Sequence, residues 1–206
     1  NQAPGGTAAL VEMRARILRG LESNPAWRAG DADLLRLGGP AQRNRLQALA
    51  ATLEPDDPIN IQFTSGTTGA PKGATLTHHN IVNNARHSAR AMALTPQDRL
   101  CIPVPLYHCF GMVLGVLACA SAGAAMVFPA EAFDAQATLQ AIQRERCTAL
   151  HGVPTMFSAL LELDPRAQGL DRATLRTGIM AGAPCPIDTM RRVVDELGLQ
   201  EITIAY

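Results

Sequence analysis

The chain of 206 residues carries 18 basic and 18 acidic side chains, a net charge of zero and 47% hydrophobic residues. Those figures fit one ordinary domain with a sizeable core, and they exclude a polyanion-binding surface for nucleic acid or an anionic membrane. Five cysteines, odd in number and without a C-x-x-C pair, argue against a disulfide framework or a zinc site and for reduced thiols in a cytoplasmic setting.

No basic stretch leading into an apolar one opens the chain, so no secretory signal is read there. The first residue is Asn1 and the last, Tyr206, closes a predicted strand; both ends read as cuts in a longer protein. Leu10, Val11, Ile17, Leu18 and Leu21 have helical spacing, and Leu46, Leu49 and Leu53 repeat it more weakly after Gly38-Gly39-Pro40. Asp56-Asp57-Pro58 reads as a turn. It divides a helical lead-in over 1–57 from an α/β region over 58–206.

Beyond the turn the pattern alternates. Strands are predicted at 59–64, 74–77, 99–104, 124–128, 148–153, 176–181 and 201–206, with helices at 78–93, 109–120, 135–146, 154–162 and 186–197. Strands separated by helices of this length imply βαβ units and a largely parallel, twisted sheet flanked by helices. Residues 100–130 contain no Asp, Glu, Lys or Arg, a run long enough to suggest a transmembrane helix. Pro103, Pro105 and Pro129 break that run, which divides better into strand, buried helix and strand.

Between the first two strands lies Thr64-Ser65-Gly66-Thr67-Thr68-Gly69-Ala70-Pro71-Lys72-Gly73. Lys72 is the one lysine in the chain, against seventeen arginines. Glycines free backbone N–H groups to turn towards a phosphate, hydroxyls add donors, and a compact ammonium on a flexible stem can follow a moving oxygen as a planar guanidinium cannot. The Walker A pattern does not fit, because Pro71 precedes the lysine, Gly73 follows it, and a strand comes next. This is a phosphate loop in a hairpin.

The ten residues from Thr64 to Gly73 resemble the signature loop of the adenylate-forming superfamily: acyl-CoA synthetases, luciferases and the adenylation domains of peptide synthetases. The preceding Asp57-Pro58-Ile59-Asn60-Ile61-Gln62-Phe63 is similar to the medium-chain fatty acyl-CoA synthetase branch. The resemblance implies the N-terminal domain of that fold, ATP, Mg²⁺ and coenzyme A as cofactors or co-substrates, and a fatty acid as partner. In it, Lys72 and the hydroxyls of Thr64, Ser65, Thr67 and Thr68 hold the β- and γ-phosphates. Pro105-Leu106-Tyr107-His108-Cys109-Phe110-Gly111 resembles the second core motif, whose aromatic or histidine, here His108, sits beside the carboxylate being activated. The helix after it lines the acyl path.

The same resemblance puts His151 near the acyl and pantetheine path, although a strand-to-helix turn explains that histidine equally well. Gly182-Ala183-Pro184 would contact adenine and ribose, and Tyr206 would stack on the adenine. The glutamate ligand of Mg²⁺ would follow residue 206, so no metal ligand is assigned within the chain, and the segment alone is expected to be inactive. Chain length of the acid and oligomeric state are not legible. The alternatives are an aryl-CoA ligase, a peptide-synthetase adenylation domain, or a non-catalytic nucleotide- or lipid-binding module.

Overall fold

The computed structural model describes residues 39–64 and 71–205. The helix predicted from residue 10 and the strand end at Tyr206 lie outside them. The chain divides into two compact units, Asn1–Glu54 and Pro55–Tyr206.

In the first unit, helix α1 (Pro40–Ala50) begins where the Gly38-Gly39-Pro40 break was read: Gly39 is the N-cap and Pro40 takes the first turn, where its missing N–H costs little. Its leucines do not form a buried stripe. Leu46 and Leu49 are exposed and no residue of the helix is buried.

The second unit opens with an antiparallel hairpin, β1 (Pro58–Thr64) and β2 (Lys72–Thr77). β2 starts two residues before its predicted start, because Lys72 and Gly73 pair with Thr64 and Phe63. The chain passes directly into α2 (His78–Ala91). Thr77 caps that helix, its hydroxyl accepting from the Asn80 N–H at 3.2 Å while Asn80 Oδ1 accepts from the Thr77 N–H at 3.0 Å. Such a reciprocal cap is worth about 1 kcal/mol. Ile81, Ala85 and Ala89, four residues apart, are its buried stripe.

A five-stranded parallel sheet follows, of β3 (Arg99–Cys101), β4 (Ala125–Val127), β5 (Ala149–Gly152), β6 (Thr177–Ala181) and β7 (Glu201–Ala205), in the spatial order β4-β3-β5-β6-β7. The helices between them are the wide, π-type turns of Phe110–Leu117 continuing as α3 (Ala118–Ala122), then α4 (Ala135–Glu145), α5 (Pro154–Glu162) and α6 (Ile187–Arg192), which runs on into a second π-type stretch, Val193–Leu197. Two of the predicted helices therefore contain wide turns, which the apolar spacing did not reveal. In the first, the Ala118 N–H reaches back five residues to the Val113 carbonyl.

Side-chain alternation makes the sheet two-faced. Cys101, Leu150 and Met180 point into one core with α4, α5 and the Val193–Leu197 turns. Leu100, Ala149 and Ile179 point into the other with Met92, Phe110 and Ala118. Both faces are covered at the centre of the sheet, where every residue of β5 and β6 is buried. Each fully buried large aliphatic side chain contributes roughly 2 kcal/mol.

At one edge, where the parallel strands begin, stands a polar clamp. Asp98 is 4% exposed and accepts from the Thr95 N–H (2.8 Å) and hydroxyl (2.9 Å), the Thr148 hydroxyl (2.7 Å) and the Arg176 guanidinium (2.7 and 3.2 Å). Arg176 also donates to the carbonyls of Met92 and Ala93, closing the C-terminus of α2, and pairs with Glu201 at 2.8 Å. Burial alone would raise the Asp98 pKa; the Arg176, Thr148 and Thr95 donors outweigh it and hold the carboxyl at about 2.

Candidate functional site

The order β4-β3-β5-β6-β7 reverses direction at β3, since the chain leaves it for β4 on one side and returns to β5 on the other. Open α/β sheets bind ligands outside the carboxyl ends of strands at such a switch point. The loops that follow β3, β5 and β6 carry the Pro105–Gly111 motif, the Val153-Pro154 turn and Gly182-Ala183-Pro184. Three motifs far apart in sequence thus share one sheet edge.

His108 is exposed in its loop, and its Nδ1 accepts the Phe110 N–H at 3.1 Å. That leaves Nε2 as the ring nitrogen not used by this contact. Gly111 is required behind it, since a Cβ there would lie 2.3 Å from the Pro105 carbonyl oxygen. Gly182 turns the chain with φ 86° after β6 and lies against Val153, while Ala183 and Pro184 are exposed beside it.

Lys72 opens β2 opposite Thr64, and Thr64, Pro71 and Lys72 are all exposed. Ser65, Gly66, Thr67, Thr68, Gly69 and Ala70, like Tyr206, lie outside the described residues. The hairpin is tied to the His108 loop by a contact the sequence did not announce: Gln62 Nε2 donates to the Tyr107 carbonyl at 3.3 Å. A cleft of about 460 Å³ opens at the same edge, lined by Val104, Pro105, Leu106, Tyr107, Phe128 and Met156 among others. A hollow of about 420 Å³ beside Ile187, Met190 and Ile204 contains none of the candidate residues.

All five cysteines are free thiols. Cys119 is pushed up to about 11 by burial and by the Asp98 charge, and Cys101 is pushed up by the neighbouring Cys147 thiol and by burial. Neither is an activated nucleophile. Among the described residues no group of three or more His, Cys, Asp or Glu side chains could hold a metal ion. No helix among them is long and apolar enough to cross a membrane.

The sequence profile described as AMP-binding enzyme matches residues 14–206. The chain belongs to that family. Among AMP-binding relatives it is 57% identical to YngI of Bacillus subtilis (strain 168) over 155 residues, 75% of this chain and 28% of that protein. It is 52% identical to the acyl-CoA ligase SID4 of Ajellomyces capsulatus over 174 residues, 84% of this chain and 29% of the relative. It is also 46% identical to the mitochondrial medium-chain acyl-CoA ligase ACSF2 of Danio rerio over 176 residues, 84% and 29%.

The chain therefore spans less than a third of the length of these relatives. The inhibitor-bound N-terminal domain of FACL13 from Mycobacterium tuberculosis superimposes with a TM-score of 0.63 at 29% identity, covering 81% of this chain and 42% of that one. ATP-bound MatB from Rhodopseudomonas palustris gives 0.64 at 26%, covering 81% and 39%. The α/β architecture with its parallel sheet is that of the N-terminal domains of AMP-binding enzymes.

Proposed function

We propose that the full-length protein is a fatty acyl-CoA synthetase of the medium-chain type, an acid–thiol ligase, and that this segment carries its phosphate loop and part of its acyl and adenine sites. One arrangement supports the reading above all. Lys72 faces Thr64 across a hairpin that Gln62 ties to the His108 loop, at the sheet edge that also bears Gly182-Ala183-Pro184. The names of the acyl-CoA ligase relatives support the substrate class. The ATP bound in MatB and the anthranoyl-AMP bound in the ligase AuaEII, 26% identical with a TM-score of 0.66 over 74% of this chain and 30% of that one, support an adenylate intermediate.

In this reading a carboxylate oxygen of the fatty acid bonds to the α-phosphorus of ATP as the bridge to the β-phosphate breaks and pyrophosphate leaves. The sulfur of coenzyme A then attacks the acyl carbon and AMP departs. The first step sets anion against anion, so donors fixed around the phosphates lower its barrier. Lys72, with the hydroxyls of Thr64, Ser65, Thr67 and Thr68, holds the departing pyrophosphate. His108, with its Nδ1 already engaged, turns an Nε2–H to the carboxylate and orients it. Gly182, Ala183 and Pro184 line the adenine side, and Tyr206 stacks on the adenine. Five free thiols support a reducing compartment, which we take to be the cytoplasm.

Carboxylate-dependent exchange of labelled pyrophosphate into ATP tests the reading in the full-length protein, with acids of different length and aromatic acids as the panel. Exchange with medium-chain acids is expected. Exchange with aromatic or amino acids alone would make it an aryl-CoA ligase or peptide-synthetase domain, and none with any acid would refute the enzyme.

A further inference from the structure

His151 occupies the third position of β5, in the interior of the parallel sheet, and is fully buried. Both ring nitrogens are engaged. The Ile179 N–H donates to Nδ1 at 3.2 Å, so the single proton of the neutral ring sits on Nε2, which donates to the Leu114 carbonyl at 2.9 Å. The ring also lies against Phe110, with centroids 5.1 Å apart. Burial lowers its pKa to about 4, which keeps the ring neutral at pH 7.

The partners matter more than the burial. Leu114 belongs to the wide helical turns that follow the His108 loop, and Ile179 lies three residues before Gly182. β5 and β6 run especially close here: a Cβ on Gly178 would fall 1.9 Å from the Leu150 carbonyl oxygen. One imidazole thus spans the wide-turn helix and the strand that leads into the Gly182 turn, hydrogen-bonded to a backbone group of each.

We propose that His151 is a positioning residue: it fixes the helix behind the His108 loop against the strand behind Gly182-Ala183-Pro184, and so sets the separation of the acid-orienting and nucleotide-holding loops. This rests on the roles given to those loops under the proposed function. It also assigns His151 no contact with substrate, in contrast to a place along the acyl path. A carboxylate must meet the α-phosphorus at close range and in line, so a small shift between the two loops acts on turnover more than on either binding step.

The test uses the full-length enzyme with H151F, which removes both hydrogen bonds at similar volume, H151Q, which keeps a donor and an acceptor, and D98N, a lesion at the opposite sheet edge. Each is assayed at the same interval below its own Tm. For H151F, kcat for acyl-adenylate formation is expected to fall about 10- to 100-fold with the KM for ATP and for the acid within about threefold. H151Q should recover most of the loss and D98N should stay within about twofold of the unsubstituted enzyme. A folded H151F with unchanged kcat, or an equal fall in D98N, overturns the proposal.

Should H151F fail to fold, nitrogen-15 NMR of the unsubstituted protein decides. A ring protonated at Nε2 that does not titrate between about pH 5.5 and 8 is expected. Titration in that range, or the other tautomer, overturns the proposal. An unsubstituted protein without acid-dependent exchange would refute the enzyme reading instead, and the NMR result is read independently of it.

Discussion

Replacing Arg176 with Met strikes the clamp at the strand-start edge while keeping the apolar stem. The Asp98 carboxyl, held at about 2 against an ordinary 3.8, gains roughly 2 kcal/mol at neutral pH from its donors. Among the described residues Arg176 supplies two of its five donor contacts and their only guanidinium. Removing one member of a buried pair costs about 3–5 kcal/mol; Arg176 is 32% exposed, which places the expected loss near the lower end, about 3 kcal/mol. Chemical denaturation of Arg176→Met, Asp98→Asn and the double variant should give a coupling energy of about 2 kcal/mol.

The pH dependence has a fixed sign, because a depressed carboxyl stabilises the fold above its unfolded value. The contribution is complete above about 3.8 and disappears as the pH falls towards 2, and Arg176→Met should flatten that acid slope. A loss below about 1 kcal/mol, or additivity of the two single substitutions, would refute the reasoning.

Lys72→Arg is expected to slow pyrophosphate exchange by about tenfold or more while the fatty-acid KM stays within about twofold, since the rigid fork cannot follow the leaving oxygens; an unchanged rate would separate the lone lysine from the chemistry. Gly178→Ala should destabilise by more than about 4 kcal/mol or abolish folding, because its Cβ would meet the Leu150 carbonyl at 1.9 Å, and expression with a melting curve checks it. Thr77→Ala should cost about 1 kcal/mol in denaturant by removing the α2 cap. His151, depressed to about 4 from an ordinary 6.5, should make the fold lose up to about 3 kcal/mol as pH falls from 6.5 to 4, a slope that denaturation of His151→Gln across that range should show reduced.

The sheet and its helices were legible because alternation and helical spacing are properties of short stretches. The helices predicted from residues 78, 135 and 154 begin at those residues. The hairpin was legible for the same reason, apart from the two residues by which β2 reaches back to Lys72. Contacts between distant segments carry no local signal. Asp98 and Arg176 are 78 residues apart, Gln62 and Tyr107 are 45 apart, and His151 meets Leu114 across 37. Nor does apolar spacing separate α-helical from π-type turns, or show that a Cβ on Gly111 would lie 2.3 Å from the Pro105 carbonyl oxygen. The Leu46 stripe failed for the complementary reason, since a pattern shows that a face can be buried and not that anything covers it.

Because every strand of the sheet runs the same way, the clamp of Asp98 and Arg176 sits at the strand starts and the loops bearing His108 and Gly182 at the strand ends, with the two apolar cores between them. Sequence drift in the loops then has no path into the clamp except through the packed strands. Randomising the exposed positions 105–107 and 183–184 should accordingly yield libraries rich in soluble protein.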